Sequence, residues 1–300
     1  HPEARRACLE NEIWRGTGPQ LHSLRIFEGV PREVTGRLVD ESSPRYYRQA
    51  SEVLPPGSSA GDDGLLLILR GQIQASILGL KVRVLGPGDT LGLLRYLDLP
   101  VQPSRVDYEA ITAVDALCVP RGPMLEALED DRFEDDVVKF KQAREVLGGG
   151  VVKDAFGFVT GIGGKFATDC LEKSEIFSAC STGFVTQMPK LVEDLAFFPG
   201  EVLFRQLDPG NVMYFIQAGR VRLQMEGIKA IENVDAGGTI GEMAVLGQIG
   251  GGYTTTAVAE THVWARALSK KLLFRALASF PGDERRLQGT AGRSGGVFDD

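Results

Sequence analysis

Asp208-Pro209-Gly210-Asn211, running straight into Val212-Met213-Tyr214-Phe215-Ile216-Gln217-Ala218-Gly219, is the stretch on which the reading of this 300-residue chain turns. Pro presets φ for a turn, Gly accepts left-handed backbone, and Asp and Asn hydrogen-bond to their own backbone. The first four residues are therefore the strongest turn signal in the sequence, and the apolar run after them predicts a buried strand that stops at Gly219. The same grammar continues on both sides. Leu195-Ala196-Phe197-Phe198 meets Pro199-Gly200, Val202-Leu203-Phe204 precedes the turn, and Arg220 to Met225 alternates as a half-buried strand should. Lys270 to Leu277 then carries apolar residues at helical spacing.

A weaker copy lies upstream. Ile26 and Ile176 are 150 residues apart, Gly71 and Gly219 148, and Gly92 and Gly241 149. Three landmarks in one order at a nearly constant offset imply two copies of one domain. In the first copy, strands are predicted from Gly64 to Leu69, Gln72 to Leu78 and Lys81 to Leu85, and a helix from Pro123 to Leu128. The expected division is a helical lead over 1–20, a first domain over 21–128, a helical connector and linker over 129–170, a second domain over 171–282, and a loose or docked tail over 283–300. Within the connector, Glu129 to Val146 has helical spacing and ends at Gly148-Gly149-Gly150.

Composition narrows the function classes. Thirty-three Lys and Arg against 40 Asp and Glu give a net charge of −7. The cations are scattered, which argues against the dense basic face of a nucleic-acid binder. No apolar run approaches the ~20 residues of a membrane-spanning helix. Four cysteines without a Cys-x-x-Cys spacing and three histidines leave little for zinc, disulfides or His-based catalysis. A reducing intracellular compartment is expected, the cytoplasm before an organelle. Thirty-seven glycines indicate a turn-rich, β-rich fold.

An apolar-Phe opening, Pro-Gly, Asp-Pro-Gly, a Tyr-Phe-Ile strand ending at Gly, and then Gly241-Glu242 together resemble the cyclic-nucleotide-binding domain family. Val212 to Gly219 is similar to the versions in hyperpolarisation-gated and related channels, and the tandem arrangement resembles the regulatory subunits of cyclic-AMP-dependent kinase. The resemblance implies a mainly β fold with flanking helices: two tandem eight-stranded β-rolls joined by a helical connector. It also implies a ligand cassette. A short helix begins after Gly-Glu, its backbone N–H groups facing a cyclic phosphate. The Glu accepts from the ribose 2′-hydroxyl, and an Arg about nine residues later pairs with the phosphate.

In the second copy that pattern maps onto Gly241, Glu242, Met243 and Ala244, but Tyr253 stands where the Arg belongs, followed by Thr254 and Thr255. In the first copy Gly92 is kept, Leu93 replaces the Glu, and Ser104 falls at the Arg position with Arg105 beside it and Asp107 and Glu109 near enough to repel a phosphate. Tyr253 can stack on a base or fill the emptied pocket; filling is expected. For Glu242 the alternative role is a first-turn carboxylate favoured by the helix dipole.

Other strings are set aside. Gly161 to Phe166 lacks the first Gly and the Ser/Thr of a phosphate loop, and Gly57-Ser58-Ser59-Ala60-Gly61 sits in a loop, not at a strand-turn-helix elbow. Arg5-Arg6-Ala7-Cys8 mimics a kinase pseudosubstrate in only two arginines. The expectation is a non-enzymatic regulatory or scaffold protein acting through protein contacts with a kinase-like effector or a larger assembly. The alternative is a ligand-responsive regulatory subunit holding a cyclic nucleotide or nucleoside in its second domain. No metal is expected.

Overall fold

Strand after strand in the computed structural model begins and ends at the glycine- and proline-marked turns. It describes residues 21, 24–54, 64–97, 99, 105–133, 135, 137–147, 171, 174–247 and 251–291, with backbone alone at 139, 228–231 and 288–291. The chain divides into two units, residues 1–144 and 145–300.

In the first unit, helix α1 (Arg32–Glu41) precedes eight strands among the described residues: β1 (Ser43–Tyr47), β2 (Glu52–Leu54), β3 (Leu65–Arg70), β4 (Ile73–Ile77), β5 (Leu80–Leu85), β6 (Thr90–Leu91), β7 (Val106–Ala110) and β8 (Val114–Val119). Helix α2 (Leu93–Tyr96) interrupts them, and α3 (Gly122–Glu129) and α4 (Val138–Leu147) follow. The strands form two antiparallel four-stranded sheets, β1-β8-β3-β6 and β2-β7-β4-β5.

The second unit repeats this. After α5 (Thr182–Val185) come β9 (Val192–Phe197), β10 (Val202–Phe204), β11 (Val212–Ala218), β12 (Arg220–Met225), β13 (Ile228–Asp235) and β14 (Thr239–Ile240). Helix α6 (Glu242–Val245), β15 (Thr256–Ala259), β16 (Val263–Ser269), α7 (Lys270–Leu277) and α8 (Pro281–Ala291) complete it. Its sheets are β9-β16-β11-β14 and β10-β15-β12-β13, the first unit's order shifted by eight strands. Two tandem eight-stranded β-rolls with flanking helices are thus observed.

Residues from both sheets of the second unit meet in one core, including Leu203, Phe204, Tyr214, Ile216, Val221, Ala257 and Ala265. On β16 the inward residues are Val263, Ala265 and Ala267, as period two requires. His262 packs edge-on to Phe198. One expectation needs adjusting. The helical pattern from Glu129 does not run unbroken: a 3-10 turn at Asp131–Phe133 comes first, and the α-helix starts at Val138. Of the expected loose or docked tail over 283–300, the described part, to Ala291, belongs to α8. The 1–20 lead, Arg5 to Cys8, Gly57 to Gly61, Ser104, the 148–150 glycines and the 151–170 linker lie outside the described residues.

Candidate functional site

Strand β14 is two residues long, pairing Thr239 with Phe215 and Ile240 with Tyr214. The chain then leaves the sheet at Gly241, whose φ of +80° is the left-handed region that favours glycine, and enters α6. That departure strands the next stretch of β11. Among the described residues no strand continues β14 to take up the N–H and C=O of Val212 on that side.

Tyr253 takes them both. Its hydroxyl accepts from the Val212 N–H at 3.1 Å and donates to the Val212 carbonyl at 2.6 Å. The ring lies parallel to Phe204, with centroids 3.9 Å apart and planes at 14°. Phe204 stacks in turn on Tyr214, and Tyr214 meets Phe197 edge-on. The backbone around the phenol is zipped to the loop before β11: Leu207 N–H to Tyr253 O at 2.8 Å, Tyr253 N–H to Asp208 O at 3.0 Å and Gly210 N–H to Gly251 O at 2.8 Å. Tyr253 is consequently buried. Burial pushes its phenol above the ordinary range, so it stays neutral at physiological pH. A Cβ on Gly241 would sit 3.0 Å from the Tyr253 ring and 3.0 Å from the Val212 oxygen. Glycine here serves both the turn and the close approach.

Glu242 opens α6 half-buried. Among the described residues it pairs with no cation. Burial, and secondarily the charge of Glu232, raises its carboxyl above the usual range, while its own backbone amide pulls the other way. Ala244 is buried, Met243 half-buried, Thr255 half-buried and Thr254 exposed. The hydroxyls of Thr254 and Thr255 make no hydrogen bond among the described residues; that of Thr256 accepts from the Gln206 N–H at 2.9 Å. The cassette region therefore holds one half-buried carboxylate and one buried neutral phenol. Two groups in this region escaped sequence reasoning. Phe204 and Glu232 come from β10 and β13, and no local spacing links either to Glu242 or Tyr253.

The first unit keeps the same turn, with Gly92 at φ +86° before α2, and Leu93 half-buried where the second has Glu242. Arg105 is exposed. Asp107 and Glu109 are also exposed, because β7 alternates and turns Val106, Tyr108 and Ala110 inward. Among the described residues no group of three or more His, Cys, Asp or Glu is placed to hold a metal, and no helix is long and apolar enough to cross a membrane.

Residues 195–280 match the profile of the cyclic nucleotide-binding domain. The human cyclic nucleotide-gated channel beta-3 is 30% identical over 121 residues, and a Caenorhabditis elegans cyclic nucleotide-gated channel 30% over 132. These matches take in 39% and 42% of this chain but only 15% and 18% of the channels. Among solved structures, the regulatory domain of Toxoplasma gondii PKA with cAMP covers 93% of this chain and 97% of its own, at 18% identity and a TM-score of 0.39. A Trypanosoma cruzi regulatory subunit of a cAMP-independent protein kinase A bound to guanosine covers 87% and 84%, at 16% identity and a TM-score of 0.34. With its β-roll, its Gly-Glu helix start and this match, the 195–280 segment belongs to the cyclic nucleotide-binding domain family.

Proposed function

We propose that this chain is a non-enzymatic regulatory or scaffold protein whose two rolls act mainly through contacts with other proteins. The observation that carries this reading is the Tyr253 hydroxyl bound to both backbone groups of Val212. A cyclic phosphate needs a cation, and a charge-assisted hydrogen bond is worth about 1.5–3 kcal/mol, or about 10–150-fold in affinity. By the family resemblance a neutral ring, Tyr253, takes the place of that cation, and the first turn of α6 carries a carboxylate, Glu242. Isothermal titration with cyclic AMP and cyclic GMP should give no micromolar signal. A clear one-to-one titration with either would overturn the reading.

A ligand-responsive regulatory subunit, acting on a kinase-like effector, is the second reading. It is favoured by Glu242, half-buried, its carboxyl raised by burial, and without a cation among the described residues. A ribose hydroxyl is a suitable donor for such a carboxylate, and an uncharged nucleoside avoids the missing cation altogether. Guanosine and adenosine should then raise the thermal midpoint, and Glu242→Ala should abolish the rise; no rise with either nucleoside removes this reading.

A further inference from the structure

The two units hold the helix that follows the roll in different ways. In the second, α8 rests on α7 and on the 3-10 turn Glu175–Phe177. Its fastening is Asp283, which accepts from the Ser181 N–H at 2.8 Å and from the Ser181 hydroxyl at 2.5 Å. In the first unit, α4 lies instead on the cassette helix α2. Phe140 meets Tyr96 edge-on at 6.2 Å, Tyr96 meets Phe27 at 6.0 Å, and the Arg144 Nε donates to the Leu97 carbonyl at 3.1 Å. Val137, Phe140 and Ala143, spaced at three, are all buried. The Tyr96 hydroxyl donates to Pro120 O at 3.0 Å, tying the cassette to the end of β8 as well.

We propose that the first unit is closed permanently and without ligand: Arg144 caps the cassette helix at Leu97, while Phe140 completes an edge-to-face row of rings, Phe27–Tyr96–Phe140. A four-residue helix has more unpaired terminal carbonyls than internal bonds, so an arginine from elsewhere in the fold is an effective partner for its last turn. With Leu93 in place of a carboxylate, nothing in α2 asks for a ribose; the connector helix supplies the contacts that hold the cassette. This inference is independent of whether the second unit binds a nucleoside.

Hydrogen-exchange mass spectrometry on the full chain tests it. Without ligand, the amides of 93–97 and of α4 should exchange slowly, and millimolar cyclic AMP, cyclic GMP or guanosine should leave them unchanged. Arg144→Gln should speed exchange over 93–97 by roughly ten-fold, leaving 242–247 as in the wild type. Exchange of α4 at the rate of an unstructured peptide, slowing of 93–97 by any of the three ligands, or an Arg144→Gln change of less than about two-fold would each overturn the proposal. If Arg144→Gln does not fold, the first two wild-type measurements still decide.

Discussion

Tyr253→Phe deletes one oxygen and leaves the ring on Phe204. The Val212 N–H and carbonyl lose their partner, and both lie where β14 has already left the sheet. A buried backbone group left unsatisfied costs about 1–3 kcal/mol. Val212 is only half-buried, so entering water offsets part of this, and a loss of about 2–4 kcal/mol is expected for the pair. For a unit of this size each kcal/mol moves the midpoint by about 2–4 °C, which gives a fall of about 5–15 °C. The chain's two tryptophans are Trp14 and Trp264. In a Trp14→Phe background, fluorescence reports Trp264 alone, whose indole donates to Asp194 at 2.8 Å inside the second unit. Urea unfolding followed by that signal should show a lower midpoint with an unchanged slope. A loss below about 0.5 kcal/mol would mean that the hydroxyl does not hold Val212.

Gly241→Ala places a Cβ in left-handed backbone against the Tyr253 ring and the Val212 oxygen, and should cost about 2 kcal/mol or more in denaturant unfolding. Glu242 has a folded-state carboxyl pKa raised by burial, so the folded form binds its proton more tightly and stability falls as pH rises from the ordinary Glu value, about 4.3, through the raised one. Glu242→Gln should thus have a higher thermal midpoint than wild type at neutral pH, with the gap closing in acid. Asp283 behaves oppositely: the Ser181 hydroxyl, more than the Ser181 amide or Arg286, holds its carboxyl below the usual range. The advantage of wild type over Asp283→Asn should be full above about pH 4 and shrink as pH falls through the lowered value, a trend that thermal midpoints can follow.

Local chemistry made much of the architecture legible. Strand limits coincide with Pro199-Gly200, Asp208 to Gly210 and Gly219 because those residues alone determine where extended backbone must turn. Gly71 and Gly219 recur in both copies for one steric reason: a Cβ there would overlap the carbonyl oxygens of Ala113 and His262. The family resemblance, read from offsets to glycines, also sets Leu93 at the expected Glu position and Tyr253 at the expected Arg position.

What Tyr253 does was not visible. Its bonds to Val212 span 41 residues and exist because β14 stops at Ile240 and exposes a pair of backbone groups at the height of the phenol. The Arg144–Leu97 and Asp283–Ser181 fastenings reach across 47 and 102 residues. Periodicity and turn propensity describe neighbours along the chain. Which distant donor meets which orphaned carbonyl depends on how two sheets and their helices come back together, and only tertiary packing decides that.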